Sequence, residues 1–180
     1  MSSWLDVALL AVLIVLNGVF AMSEISLVTS RRARLQRLID DKVAGAERAR
    51  ELNADPNRAL STIQVGITSI GILSGIVGES ALARPMEAFL VMVGLSPETA
   101  KAIGLFVVVV LITYFSIVMG ELVPKRIGQI SPERIACRLA PPIHCLSIIA
   151  APFVKLLSAS THLLLKRLGI SETQGSSVTE

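Results

Sequence analysis

The sequence predicts an all-α membrane protein with three transmembrane helices, cytoplasmic amphipathic helices and a juxtamembrane interfacial helix. Of its 180 residues, 52% are hydrophobic and 17% are charged, whereas about a quarter of a typical soluble chain is charged. The hydrophobic residues form long uncharged runs, and nearly all basic residues fall on one side of these runs. This composition excludes most soluble enzymes.

Three uncharged runs have the length of one bilayer crossing. They contain 17, 20 and 19 residues and comprise Val7–Ser23, Ala59–Gly78 and Ala102–Gly120. About 20 helical residues cover the ~30 Å hydrocarbon core. With their flanks, the predicted spans are about 4–29, 58–80 and 98–122. The first run does not resemble a secretory signal peptide, because an acidic residue precedes it and arginines follow it.

A fourth uncharged run, Leu139–Val154, has only 16 residues and contains Pro141, Pro142 and Pro152. Proline interrupts helices, and the run is short for a span. A crossing here would also place Lys166 and Arg167 outside. We therefore predict a juxtamembrane helix over 131–168 that lies on the cytoplasmic face of the membrane.

The basic residues predict the orientation of the chain. Fifteen of the 17 lie between the first and second runs or after the third, and the outer loop over 79–101 holds only Arg84 and Lys101. Basic residues concentrate in cytoplasmic loops. We expect a multi-pass protein of the bacterial inner (plasma) membrane, with the N-terminus outside and the C-terminus in the cytoplasm.

The segments between the spans carry helix signals of their own. Residues 31–53 place leucines and isoleucines near helical spacing among charges, which predicts one or two amphipathic helices covered by the juxtamembrane segment. Ser96 before Pro97 is a typical helix start for the third span. The polar residues 171–180 are expected to be a linker toward a further region of a longer chain.

No motif indicates an enzyme, and we expect no nucleic-acid partner. The sequence has no glycine-rich phosphate loop and no HExxH or GxSxG motif. Cys137 and Cys145 lie eight residues apart beside His144, without a second pair that would complete a zinc spacing. We interpret them as structural thiols beside a partly solvated histidine.

Two carboxylates lie near the cytoplasmic ends of the spans. Glu24 precedes Arg31 by seven residues, and Glu121 precedes Lys125 by four. Each could simply pair with a nearby basic side chain. Ionisable groups in spans are nonetheless costly and mark functional sites. Two carboxylates would balance one divalent cation such as Mg²⁺, which prefers oxygen ligands.

Small and polar residues form a stripe along the second span. At about 100° per residue, five of them share one helical face: Ser61, Gln64, Thr68, Gly71 and Gly75. Gly71 and Gly75 form a GxxxG motif, which favours close helix packing or dimerisation.

Helical geometry limits the ligands that the first span can supply. On an ideal helix Ser23, Glu24 and Ser26 cannot all face one ion. The helix is therefore distorted there, or Glu24 and Asn17 serve a separate face. Pro124 could similarly loosen the end of the third span and free the Gly120 carbonyl.

Three segments resemble the transmembrane domain of the CNNM/CorC family. They are Asn17-Gly-Val-Phe-Ala-Met-Ser-Glu-Ile-Ser-Leu27 followed by Ser30-Arg-Arg32, Ser61-Thr-Ile-Gln-Val-Gly-Ile-Thr68, and Gly120-Glu-Leu-Val-Pro-Lys125. The resemblance extends over nearly the whole chain, so residues 1–170 are identified as one domain of this type.

The resemblance implies a homodimer in the lipid bilayer that transports Mg²⁺, with Na⁺-coupled efflux as the expected direction. Glu121 matches the family's central carboxylate. The implied metal ligands are Glu121, the Gly120 carbonyl, Ser23 or Ser26, and Thr68 or Ser69. Glu24 is implied either as a further ligand or, with Asn17, in Na⁺ binding or gating. Family members continue into a cytoplasmic CBS region that binds ATP. The alternative function is a non-transporting anchor or sensor that recruits a cytoplasmic partner.

Overall fold

The computed structural model describes residues 3–168, which form nine α-helices and contain no strand. The helices are α1 (Ser3–Thr29), α2 (Arg32–Asp40), α3 (Ala46–Ala54), α4 (Pro56–Gly78), α5 (Arg84–Met92), α6 (Pro97–Ile117), α7 (Val123–Ile130), α8 (Pro132–Ile149) and α9 (Ala151–Arg167). A π-helical turn, Glu79–Ala83, joins α4 to α5, and another, Val118–Leu122, joins α6 to α7. The all-α prediction is confirmed.

Three continuous helices are long and apolar enough to cross a bilayer. They are Trp4–Thr29, Pro56–Met92 and Pro97–Ile130. Most of their apolar side chains face outward, as Phe106 does with 70% of its surface exposed. Lipid can cover such surfaces, so the chain is an all-α membrane protein as predicted.

The helix that contains the second predicted span continues beyond residue 80. The helix continues through the π-helical turn before Pro85 and ends at Met92. It packs antiparallel to the third span, where Gly104 brings α6 close to the backbone of Glu87. The predicted loop over 79–101 is thus reduced to 93–96. The predicted cap is present, because Ser96 Oγ accepts the Thr99 N–H at 3.3 Å.

A small apolar core joins the predicted cytoplasmic helices to α1, α4 and α8. Its buried members are Leu27, Leu35, Ala46, Ala49, Leu52, Ala59, Ile63, Ala136, Cys137, Ala140 and Ile143. The segment over 31–53 therefore forms two helices, and α8 covers the second, as expected. Gly45 enables this contact because it has a φ of +80° and lies against the Cys137 carbonyl, where a Cβ would not fit. Burial raises the pKa of the Cys137 thiol.

The predicted juxtamembrane helix over 131–168 is two helices, α8 and α9, bent by 70° at Ala150. Pro141 and Pro142 lie inside α8, and the bend precedes Pro152. A bend before Pro152 is expected because proline lacks the N–H that would continue the helix. The bent pair is also apolar and long enough for a fourth crossing, so its interfacial location stays a prediction. The predicted linker over 171–180 lies outside the described residues.

Candidate cation site between the first and third spans

A lysine ammonium joins the two predicted carboxylates. Lys125 Nζ lies 2.8 Å from Glu121 Oε1, one helical turn earlier, and 3.2 Å from Glu24 Oε2 on α1. The three side chains are 30% to 43% exposed, so the cluster is partly accessible. The simpler interpretation of each carboxylate, a pair with a nearby basic residue, is thus present. Both carboxylates nevertheless converge on one cation position, which the sequence alone did not show.

The π-helical turn beside Glu121 has a specific cause and a specific partner. In an α-helix the Gly120 carbonyl would accept the N–H of residue 124, but Pro124 has none. Asn17 Nδ2 of α1 donates to this carbonyl at 3.0 Å. The distortion expected near Pro124 is therefore present, and the released Gly120 oxygen is bonded by Asn17.

Close packing holds α1 against this turn. A Cβ at Gly18 would lie 2.9 Å from Pro124 Cγ, so the glycine lets the proline ring approach the helix. A Cβ at Gly128 would lie 2.5 Å from Ile25 Cγ2 and 3.0 Å from the Met22 carbonyl oxygen. The small residues of α1 and α7 thus fix the distance between the helices that carry Glu24 and Lys125.

Asn17 also presents an unused ligand atom. Its Oδ1 is buried and has no hydrogen-bond partner among the described residues. The Gly120 carbonyl determines the orientation of the Asn17 amide. The opposite orientation would place Oδ1, which cannot donate a hydrogen bond, against the carbonyl oxygen. A buried acceptor without a donor costs about 1–3 kcal/mol. A bound cation would remove that cost.

The two serines of α1 bond to their own helix. Ser23 Oγ donates to the Val19 carbonyl at 2.8 Å, and Ser26 Oγ donates to the Ser23 carbonyl at 3.1 Å. Both residues are buried. Their hydroxyl hydrogens are used locally, which leaves only oxygen lone pairs for a ligand. Glu24 instead faces Lys125, consistent with the separate face that helical geometry allowed.

The predicted hydroxyls of the second span line a different space. Thr68 and Ser69 are exposed and border a cavity of about 930 Å³ between α4 and α9. Ser61 and Gln64 also line this cavity, and so does Glu24. Glu121 and Gly120 are not among the lining residues. The structure therefore separates Glu121 and Gly120 from Thr68 and Ser69, while Glu24 contacts Lys125 and also borders the cavity.

Gly71 and Gly75 are not used for packing within the described part of the chain. No heavy atom would lie within 4 Å of a Cβ at either position. Among residues 3–168 of one copy, neither glycine therefore lies at a helix–helix contact. Dimerisation through it stays a prediction.

The structure also defines what the site lacks and what the sequence did not reveal. Within residues 3–168 no group of three or more His, Cys, Asp or Glu side chains could hold a metal ion. A cation here would rely on two carboxylates with amide, carbonyl or hydroxyl oxygens.

The contact of Lys125 with both carboxylates was not predicted from the sequence, although its position four residues after Glu121 indicated a pair with that residue. Buried Glu133, which accepts the Arg31 N–H at 3.3 Å, had no such signal.

Comparison with known proteins identifies the family. The family described as the cyclin M transmembrane N-terminal domain, CNNM, matches residues 8–180. The chain belongs to the CNNM family. Asn17 bonds to Gly120, and Gly18 packs against Pro124. All four residues lie in the segments that resemble the family. The residues by which the family is recognised therefore form the contact between α1 and the π-helical turn.

Relatives of the chain include bacterial proteins of different descriptions. It is 42% identical over 176 residues to the UPF0053 protein sll0260 of Synechocystis, covering 98% of this chain and 39% of that protein. It is 33% identical to the UPF0053 protein YhdT of Bacillus subtilis, covering 93% and 37%. It is 31% identical to the polyamine export protein of Escherichia coli K12, covering 79% and 32%. The chain thus spans about two fifths of the length of these relatives or less.

Proposed function

We propose that this chain is the membrane domain of a cation transporter. One observation carries the proposal: carboxylates from two different spans, Glu24 and Glu121, meet at a single position filled by the Lys125 ammonium. A site that holds one cation between two membrane helices can exchange it for another. Lys125 then acts as an internal counter-ion that the transported cation displaces.

Mg²⁺ is the proposed cargo. With Lys125 displaced, Glu24 and Glu121 carry two negative charges, which balance one Mg²⁺. Mg²⁺ keeps several of its waters and is commonly bound through one or two carboxylates, so few further protein oxygens are needed. The hydroxyls of Thr68 and Ser69 border the space beside Glu24 and are suited to contact those waters. The family resemblance supports the same cargo.

Na⁺ coupling is proposed from Asn17. Its buried Oδ1 is an unused oxygen ligand beside the π-helical turn. A monovalent cation bound there would satisfy this atom and would alter the contact between α1 and the third span. Exit of Mg²⁺ from the cell, driven by Na⁺ entry, is the direction that the family resemblance favours.

The proposed assembly is a homodimer in the bacterial inner membrane. The open Gly71 and Gly75 face of α4 allows close approach of a second copy, since small residues let membrane helices approach each other. The family resemblance adds a cytoplasmic CBS region as a regulatory partner of this domain.

Polyamine export is the second candidate. Three of the relatives are named polyamine export proteins from Escherichia coli strains, and another is from Salmonella typhimurium. Lys125 is itself a primary ammonium held by both carboxylates, so the same position suits the end of an alkylamine. The cavity of about 930 Å³ that starts at Glu24 has room for a chain, with apolar and hydroxyl groups along it.

Flux from vesicles tests the proposal and distinguishes the two cargoes. The full-length protein is reconstituted in liposomes that report Mg²⁺ with an internal dye, and parallel vesicles receive radiolabelled spermidine. We expect Mg²⁺ movement under a Na⁺ gradient that Glu121→Gln abolishes. Glu47→Gln, which neutralises an exposed carboxylate on α3, is the matched control.

Each outcome of the flux assay has a distinct meaning. Glu121-dependent spermidine movement without Mg²⁺ movement would replace Mg²⁺ by polyamine as the cargo. Folded protein that moves neither cation would support the anchor or sensor function instead. Equal flux in Glu121→Gln and Glu47→Gln would reject the assignment of the site. Calorimetry gives an independent check, because Glu121→Ala is expected to abolish Mg²⁺ binding.

A further inference from the structure

A second cavity, lined by more basic than acidic side chains, lies where the first and third spans end. It has a volume of about 390 Å³ and is formed by α2 and by the junction of α7 with α8. Its charged lining residues are Arg34, Arg37, Asp41, Glu133 and Arg134. None of them belongs to the cation site.

The charges of this cavity are not balanced. The buried Glu133 carboxylate is already engaged, since it accepts the Arg31 N–H and lies 3.8 Å from Arg34 Nη1. Arg37 and Arg134 form no ion pair with any described residue. Asp41 is the single remaining carboxylate in the lining. Two guanidinium groups from different helices thus face one carboxylate, which leaves the cavity able to take an anion.

The backbone adds to the attraction for an anion. Helix α8 has 18 residues and begins at Pro132, and its N-cap residue Ser131 makes no side-chain cap hydrogen bond. Ser131 also lines the cavity. The N-terminus of a helix carries partial positive charge. Pro132 has no N–H and the Ile135 N–H is bonded to the Ser131 carbonyl, so the N–H groups of Glu133 and Arg134 are the ones left without a partner inside the helix. Together with two arginines, this matches phosphate, which binds guanidinium groups in pairs of hydrogen bonds.

The position of the cavity indicates the rest of the ligand. Ile130, the last residue of the third span, lines the cavity and is 81% exposed. The first span ends nearby at Thr29. Both helix ends lie beyond the uncharged runs, on the side that the basic residues predict to be cytoplasmic. An anionic group in the cavity would therefore lie beside the cytoplasmic leaflet, with an apolar side chain next to it. A free phosphate ion would use the arginines but not Ile130.

We propose that this cavity binds the phosphate group of an anionic membrane phospholipid, with Arg37 and Arg134 contacting the phosphate and Ile130 contacting an acyl chain. The bound lipid links α2 to α8. Because Glu133 already ties these elements to the end of α1, the lipid stabilises the cytoplasmic end of the domain. This role is independent of the transported cation.

Native mass spectrometry of the purified full-length protein tests the proposal. Dioleoyl phosphatidylglycerol is titrated in detergent, with the zwitterionic dioleoyl phosphatidylcholine, which has no net charge, as the comparison. We expect a phosphatidylglycerol adduct that Arg37→Gln/Arg134→Gln weakens at least about tenfold, because two charge-assisted hydrogen bonds are lost. The control is Arg32→Gln/Arg126→Gln, which removes two exposed charges from the same end of the domain but outside the cavity. It should change the affinity less than about twofold.

Three results would overturn the lipid assignment. The first is equal weakening by the two double variants, which would mean that general charge attraction explains binding. The second is equal binding of phosphatidylcholine and phosphatidylglycerol to the wild-type protein. The third is displacement of the lipid by glycerol 3-phosphate at the same concentration, which would show that a soluble phosphate is the ligand. Thermal unfolding of each variant without lipid confirms that it is folded.

Discussion

Replacing Lys125 by methionine tests whether its ammonium occupies the position of the transported cation. Methionine retains the length and helix preference of lysine but removes the charge. The wild-type ammonium is 2.8 Å from Glu121 and 3.2 Å from Glu24. A cation that binds both carboxylates must first break these two ion pairs.

The magnitude follows from the number and the exposure of these pairs. Because the side chains are 30% to 43% exposed, each pair contributes up to about 1 kcal/mol after solvent screening. Breaking both costs up to about 2 kcal/mol, which corresponds to up to about 30-fold in a dissociation constant. Lys125→Met is therefore expected to bind Mg²⁺ more tightly than the wild-type protein, by up to about 30-fold.

Isothermal titration of Mg²⁺ into the full-length protein measures this change. Lys125→Arg keeps the charge and should bind with near wild-type affinity. Arg126→Gln removes the neighbouring exposed charge, which contacts neither carboxylate, and should change the affinity less than about twofold. Unchanged or weaker Mg²⁺ binding in a folded Lys125→Met protein would refute the role of Lys125 as an internal competitor.

Three further predictions concern packing, sodium and thiol reactivity. Gly128→Ala should be about 2 kcal/mol less stable to unfolding than the wild-type protein, because its Cβ would lie 2.5 Å from Ile25 Cγ2 and 3.0 Å from the Met22 carbonyl oxygen; equal stabilities in detergent would contradict the packing of α1 on α7. Na⁺ should raise the unfolding temperature of the wild-type protein relative to choline but not that of Asn17→Leu, and an equal rise in both would exclude Asn17 Oδ1 as a ligand. N-ethylmaleimide should label Cys145 in Cys137→Ser at least about tenfold faster than Cys137 in Cys145→Ser, because Cys137 is buried and burial raises its thiol pKa. The labelling of Cys137 should become faster only at higher pH, where its thiolate forms. Similar labelling rates of the two cysteines at pH 7 would contradict the burial of Cys137.

The spans could be predicted because lipid imposes a simple rule on sequence. Long uncharged runs gave all three spanning helices. Their ends were less predictable. Residues after Glu79 mix polar and apolar side chains, and only packing against α6 through Gly104 shows why the helix continues to Met92. The bend at Ala150 precedes Pro152, whereas Pro141 and Pro142 lie inside α8 without ending it, and the sequence alone does not distinguish these prolines.

The two carboxylates of the candidate site could be predicted from the sequence, but their shared contact with Lys125 could not. Glu24 and Glu121 stood out because carboxylates are rare in spans. Their convergence on Lys125 depends on the distance between α1 and the third span, which Gly18 and Gly128 set through contacts far apart in sequence. The carbonyl of Gly120 was expected to be released, but a bond across 103 residues to Asn17 could not be read from the local pattern.

A crystal structure of the Mg²⁺-bound protein tests the central claim most directly. The prediction is an ion with oxygens of both Glu24 and Glu121 in its coordination shell, directly at ~2.1 Å or through a bound water. Lys125 Nζ would then lie beyond hydrogen-bond distance of both carboxylates. An ion bound at any other place, with Lys125 still between Glu24 and Glu121, would contradict the proposal that these carboxylates receive the transported cation.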